Sequence, residues 1–308
     1  MEVIHDTGGL KSTIFAARAA GRGVALVPTM GALHDGHMSL VALARASEIA
    51  DVRGRTLIVA TIFVNSIQFN NAADLKRYPR TLEADLARCE EAGVDVVFVP
   101  SHHELYPWAG QVGGELTSIA LTDPGLEYAP SRIVAGSAGR GLCGGARPGH
   151  FDGVVTVVGI LFNLVRPDIA VFGDKDFQQV RVIEQMVSDL HFGLRVIRAP
   201  IMRESDGLAL SSRNVLLDAN ARYHALYIPQ SLRHAQDLVR AGERSVEKLL
   251  AIVTDNLERS GGLRIDYVSL VSPETLQPVS GTLTEDAQLV VAAFAGDIRL
   301  IDNIRLAL

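Results

Sequence analysis

Apolar runs of strand length alternate with helical apolar periods through the first two-thirds of the chain. Val24–Val27 is a short continuous apolar run and predicts a buried strand. From Met38 to Ile49 the spacing becomes helical, with Leu40, Leu43 and Ala44 on one face. Leu57–Val64 and Asp95–Pro100 predict two more buried strands, with a helix from Thr81 as cap to Ala92 between them and Gly93 as its stop. Val154–Val165 predicts a helix halted by Arg166-Pro167, since the residue before a proline avoids helical backbone. A strand at Ile169–Phe172, a helix at Phe177–Leu190 and a strand at Leu194–Ala199 follow. Continuous apolar strands alternating with helices imply a parallel sheet covered on both faces.

The alternation fails between Pro107 and Pro148, where glycine and proline crowd the chain, and a long loop with little regular structure is expected. Beyond Ile201 the character changes again. Long helices are expected over Ala219–Ala241 and Val246–Glu258, then short strands at Ile265–Val271, Leu289–Phe294 and Ile298–Ile301. This gives a smaller α+β domain over 202–308, after an α/β domain over 1–201.

With 308 residues, 48% of them hydrophobic, the chain can bury a large core. A net charge of −6 argues against a broad nucleic-acid surface but leaves room for a local basic pocket. Cys89 and Cys143 are the only cysteines, which suggests free thiols in a reducing compartment. The first residues show no basic stretch followed by an apolar run, and the longest apolar stretch, Val154–Val165, is too short to span a bilayer. A cytoplasmic protein without membrane or nucleic-acid partners is expected.

Candidate chemistry gathers at the ends of the strands. His34 and His37 flank Gly36 where the first strand gives way to a helix, in Met30-Gly31-Ala32-Leu33-His34-Asp35-Gly36-His37. A helix N-terminus offers unpaired N–H groups and partial positive charge, so it suits a phosphate. Zinc is the competing reading, although no third ligand has convincing spacing. His102 and His103 read as a solvated loop. Gly173-Asp174-Lys175-Asp176 follows another strand, where a lysine can pair with phosphate and an aspartate can accept a ribose hydroxyl or help hold Mg²⁺; a charged turn fits equally well. Leu210-Ser211-Ser212-Arg213-Asn214 can form a phosphate clamp or a polar loop. Gln68 and Gln179 follow strand-end or helix-start positions; Gln68, in an apolar setting, can bind a carboxylate or hydroxyl of a small substrate or is an ordinary turn amide. Arg147 and His150 either face phosphates or brace the glycine-rich loop.

Together these stretches, with Phe63-Val64-Asn65-Ser66-Ile67-Gln68-Phe69, Tyr78-Pro79-Arg80-Thr81, Leu142 to Phe151, Asp206 to Asn214 and Ile301-Asp302-Asn303, resemble the pantoate–β-alanine ligase family. The family lies in the adenylate-forming nucleotidyltransferase superfamily, which shares the His-x-Gly-His element. The chain departs from the family pattern at Ser66, where proline is usual, and at Asp174, where glutamate is usual; the segment from about Gly110 to Ala146 is also longer than in some members.

The resemblance implies a Rossmann-like doubly wound N-terminal domain, a smaller α+β C-terminal domain that closes as a lid over a cleft, and a homodimer. It implies that pantoate attacks ATP to give pantoyl adenylate and pyrophosphate, and that β-alanine then displaces AMP. Met30 to His37, Gly173 to Asp176, Met202 and Leu210 to Arg213 would hold ATP, with His34, His37, Lys175 and Arg213 catalytic and His37 the proposed proton donor. Gln68 would hold pantoate and β-alanine, Gln179 pantoate, with Arg147 and His150 as further substrate contacts. Mg²⁺ would accompany ATP; Asp85, one turn into a helix near Tyr78–Thr81, is either its ligand or an exposed helical acid. A nucleotidyltransferase that keeps its nucleotidyl product shares the histidine element but leaves both glutamines unexplained. A non-catalytic nucleotide-binding protein is the reading from a different class.

Overall fold

Every residue of Leu57–Ile62 is buried, as a strand covered on both faces requires. The computed structural model describes residues 1–49, 52, 54–108, 117 and 130–308. In chain order, the strands of its first sheet are β1 (Glu2–Ile4), β2 (Val24–Thr29), β3 (Leu57–Ile62), β4 (Val96–Phe98), β5 (Ile169–Gly173) and β6 (Arg195–Ala199). They pair in the order β1-β4-β3-β2-β5-β6, all in parallel. The helices between them are α1 (Thr7–Ala19), α2 (Asp35–Ala46), α3 (Ala72–Arg77), α4 (Leu82–Glu91), α5 (His102–Leu105), α6 (Leu142–Ala146), α7 (His150–Val165) and α8 (Phe177–Asp189).

One face of the sheet packs Ala25, Val27, Ile58, Ala60 and Val171 against Leu40, Val41 and Ala44 of α2 and Cys89 of α4. The other face is covered by α1 and α7. Twelve of the sixteen residues of α7 are buried, which is why its sequence is largely apolar around the helix. The fold is Rossmann-like and doubly wound, as expected from the alternation.

Contacts divide the chain into two compact units: Met1–Asp174 with Gln179–Pro200, and Lys175–Gln178 with Ile201–Leu308. The second unit contains α9 (Ala219–Ala225), α10 (Tyr227–Arg240), α11 (Val246–Arg259) and an antiparallel sheet of β7 (Leu263–Val271), β8 (Ala287–Ala295) and β9 (Ile298–Leu306). Its core sets Ile228, Leu232, Ala235 and Val239 of α10 and Leu249, Val253 and Leu257 of α11 against the alternate residues Leu289, Val291 and Ala293 of β8.

Several elements differ from the pattern-based expectation. The long helix over Ala219–Ala241 is two helices that meet at Leu226. Pro229 has no N–H for the carbonyl four residues back, and the restart at Tyr227 places it harmlessly in a first turn. Helix α7 begins at His150 rather than Val154, and α2 begins at Asp35 rather than Met38, because both include polar first turns that apolar periodicity does not register. Within Pro107–Pro148 the described residues include α6 and a 3-10 turn at Ser137–Gly139; residues 109–116 and 118–129 lie outside the described residues. Strand β1 and helix α1 escaped the pattern; Asp6 caps α1 by accepting from Gly9 N at 2.7 Å.

Candidate active site

The strand order reverses direction between β2 and β5: the chain runs outward through β3 and β4 on one side and through β6 on the other. Carboxyl ends of strands at such a switch point are where open α/β sheets bind ligands. Here β3, β2 and β5 are consecutive neighbours, about 4.8 Å apart. Their ends carry Phe63 to Gln68, Met30 to His37 and Gly173 to Asp174.

After β2 the backbone turns through two left-handed residues, Gly31 at φ 79° and Ala32 at φ 50°. A side chain at Gly31 would place Cβ 2.9 Å from Asp85 Oδ2, so only glycine fits. Asp85 holds this turn. Its carboxylate, 2% exposed, accepts from Ala32 N at 2.9 Å, Leu33 N at 2.7 Å and the Thr81 hydroxyl at 3.1 Å. Asp85 was expected as a Mg²⁺ ligand; in the structure its buried carboxylate anchors the histidine loop through these three donors. Thr81 is likewise corrected: it stands at the N-terminus of α4, but its hydroxyl donates to Asp85 and caps no helix N–H. Burial, reinforced by the Asp85 charge, pushes the nearby Cys89 thiol up to about 11, which keeps it protonated and unreactive.

His34 is the N-cap of α2, and the two histidines form a reciprocal capping box. His34 Nδ1 accepts from Gly36 N, and His37 Nδ1 accepts from His34 N, both at 3.2 Å. The rings lie with centroids 4.1 Å apart. Because both Nδ1 atoms accept, the proton of each neutral ring sits on Nε2, making a donor there. The pair therefore presents hydrogen-bond donors beside a helix N-terminus, the arrangement an anion requires.

Gln68 ends a 3-10 turn, Ser66–Gln68, and is 8% exposed. Its backbone carbonyl meets His150 Nδ1 at 2.8 Å, and Arg147 Nη1 meets His150 Nε2 at 3.2 Å. A guanidinium only donates, so Nε2 accepts and Nδ1–H donates to Gln68. Arg147 and His150, expected as substrate contacts, brace the Gln68 backbone. The Gln68 side chain meets Asn65, whose Nδ2 donates to Gln68 Oε1 at 3.0 Å and to Gly153 O at 3.1 Å. Gln68 Nε2 lies 2.9 Å from the Met30 sulfur, which joins the ends of β2 and β3.

Gly153 lets α7 approach this turn, since a Cβ there would lie 2.2 Å from Ile67 O. Gly153→Ala gains about 1 kcal/mol of helix propensity. The clash is with backbone, and overpacking of this kind costs about 1–3 kcal/mol. Net destabilisation is therefore expected, read by thermal unfolding; an unchanged or raised midpoint would contradict this packing.

At the end of β5, Asp174 lies 3.4 Å from Arg198 Nη1, and Arg198 also holds Glu184 through two bonds of 2.7 Å. Arg181 adds a further ion pair to Glu184. Burial pushes the Asp174 carboxyl above its ordinary value; Arg198 pulls it down less than burial and Glu184 raise it. Lys175 pairs loosely with Asp176 at 3.8 Å. The Lys175 carbonyl accepts from Asn303 Nδ2 of β9 at 3.1 Å, and Asn303 Oδ1 accepts from Gln288 at 2.6 Å. Next to Asn303, Asp302 is gripped by Arg203 through bonds of 2.7 and 3.0 Å. Gln179 lies half-buried near the start of α8.

The serine-arginine stretch closes a small hairpin in which Leu210 N donates to Met202 O at 2.9 Å. Ser211 Oγ accepts from Arg213 N at 3.3 Å, and buried Asn214 donates to Glu204 at 2.6 Å and Ala209 O at 3.0 Å. Asn214 thus locks the backbone that carries Ser211, Ser212 and Arg213. His102 and His103 are exposed in α5, where a solvated loop was expected. Among the described residues no three His, Cys, Asp or Glu side chains gather as a metal site, the zinc reading included.

Sequence reasoning missed Asn65, Tyr106 and the anchoring role of Asp85. Asn65 carried a signal: an amide in an otherwise apolar run, three residues before Gln68.

The family model described as pantoate-beta-alanine ligase matches residues 2–305. The chain is 47% identical to the pantothenate synthetase of Anaeromyxobacter dehalogenans (strain 2CP-C), over 99% of this chain and 98% of that protein. It is similar to the crystal structure of pantothenate synthetase from Thermus thermophilus, with TM-score 0.85, 38% identity and full coverage of both chains. It is also similar to the pantoate-beta-alanine ligase of Francisella tularensis, solved in complex with beta-gamma ATP and beta-alanine, with TM-score 0.73, 29% identity, and 99% and 97% of the two chains covered.

Proposed function

The chain belongs to the pantoate–β-alanine ligase family, and from that premise we propose how its residues divide the reaction. It is a ligase that joins pantoate and β-alanine through an amide bond, with ATP as co-substrate. A carboxylate and an amine do not condense in water unless the carboxyl oxygen becomes a good leaving group. In our reading a pantoate carboxylate oxygen attacks the α-phosphorus of ATP, the bond to the bridging oxygen breaks, and pyrophosphate leaves. The β-alanine amine then attacks the acyl carbon, loses a proton and expels AMP.

The first step brings two anions together, so orientation and preorganised positive charge carry it. The Nε2–H donors of His34 and His37, set beside the α2 N-terminus, face the phosphate oxygens that gain charge as pyrophosphate leaves. Lys175 and Arg213 add full charges, and Met30 to His37, Gly173 to Asp176, Met202 and Leu210 to Arg213 line ATP. Gln68 and Gln179 hold pantoate, with Arg147 and His150 acting through the Gln68 backbone. Mg²⁺ takes most of its ligands from phosphate and water. Asp174 is the carboxylate at the end of β5 that would flank it: burial raises its carboxyl above the ordinary value, and a nearby cation would offset that cost. The bound ion would neutralise phosphate charge.

The observation that supports this reading is the histidine capping box at the switch point, which fixes two donors beside a helix N-terminus suited to an anion. The test is an omission series with ATP, pantoate and β-alanine. Exchange of labelled pyrophosphate into ATP should require pantoate and proceed without β-alanine, whereas AMP release in turnover should require all three. Exchange that depends on β-alanine would rule out a free-standing adenylate step.

A further inference from the structure

The Gln68 amide has two faces, one that donates and one that accepts, and its environment decides which of them a substrate meets. The deciding group is the Gly153 carbonyl, which can only accept. Asn65 must therefore turn Nδ2 toward it, and at 3.1 Å it does. The second N–H of that amide donates to Gln68 Oε1 at 3.0 Å, so Gln68 is held by its oxygen. Its nitrogen is left beside the Met30 sulfur at 2.9 Å, a weak acceptor that an oxygen ligand would readily replace.

Asn65 Oδ1, the remaining end of that amide, accepts from the hydroxyl of Tyr106 at 2.6 Å. Tyr106 is fully buried, and its ring is held by Phe63 at 5.9 Å and Trp108 at 5.1 Å between centroids. Burial pushes the phenol above its ordinary value, so it stays protonated and keeps donating. We infer that Tyr106 is a positioning residue that, through Asn65, fixes Gln68 with its N–H groups toward the substrate. The ligand atom at Gln68 is then an acceptor, a carboxylate or hydroxyl oxygen, which pantoate has and the β-alanine ammonium lacks. Gln68 would thus meet the oxygens of pantoate, and the β-alanine ammonium would be received elsewhere. This rests on the assignment of Gln68 to pantoate, and the experiment separates the two.

Tyr106→Phe removes the donor and keeps the ring. It should raise KM for pantoate about three- to tenfold, the worth of one hydrogen bond, and leave KM for ATP and β-alanine unchanged. Asn65→Asp retains an acceptor for Tyr106 but loses both N–H donors, so it should raise KM for pantoate further. In a Gln68→Ala background, Tyr106→Phe should add nothing. If Gln68→Ala leaves KM for pantoate unaltered, the assignment of Gln68 has failed. If Gln68→Ala raises it and Tyr106→Phe does not, the relay is overturned while the assignment stands. A drop in the unfolding midpoint of Tyr106→Phe with all three KM values moving together would show a packing role and also overturn the relay.

Discussion

His37→Ala is expected to slow pyrophosphate release by on the order of 10²- to 10³-fold, the cost of removing one preorganised donor from a site where charge develops. Removal also opens half of the capping box, because His37 Nδ1 accepts the His34 N–H. That cap contributes about 1 kcal/mol, enough to lower the unfolding midpoint by a few degrees but far too little to explain the rate. His37→Glu separates the two effects. Glutamate is a normal partner at this position of a capping box, so it should restore the midpoint. It offers no N–H donor and adds negative charge beside the phosphates, so activity should fall at least as far as in the alanine variant. Near-normal pyrophosphate release by either variant would remove His37 from the chemistry.

Asp85→Ala should be the most destabilising single change at the site, by about 3–5 kcal/mol. It strips the part-buried Ala32 N–H, the buried Leu33 N–H and the Thr81 hydroxyl of their acceptor and releases a turn held in left-handed backbone at Gly31 and Ala32. The loss falls first on the loop that places His34, so KM for ATP should rise even under conditions where the variant is folded. Asp85→Asn should recover only part of this, since its NH₂ group meets N–H groups that need an acceptor. The contrast with a metal ligand is sharp. Loss of a Mg²⁺ ligand would leave the unfolding midpoint near wild type and would be relieved by added Mg²⁺; neither result is expected here.

The parallel sheet was legible in the sequence because buried strands and amphipathic helices write their periods locally. Histidine, lysine and serine-arginine elements were legible for the same reason, each being a short run at the end of one strand or hairpin. What the pattern could not show are partners brought together from far along the chain. Asp85 reads as one more acid on a helix until the fold sets it against Ala32 and Leu33, more than fifty residues earlier. Tyr106 borders a stretch whose glycine and proline content hides its surroundings, and its link to Asn65 spans 41 positions. The break at Leu226 was missed because apolar spacing continues smoothly across it, while the cause, the missing N–H of Pro229, lies three residues on.

The division of the polypeptide into units bears on how the gene can be cut. A fragment ending at Pro200 would contain Lys175 but lack Asn303, whose side-chain amide holds the Lys175 carbonyl. Such a fragment keeps the whole parallel sheet, so it should retain the histidine loop and the Gln68 turn. Its lysine, however, would hang from a turn stripped of its outside support. A split designed to preserve that turn would have to supply β9 again as a separate peptide, making this strand a natural handle for fragment complementation.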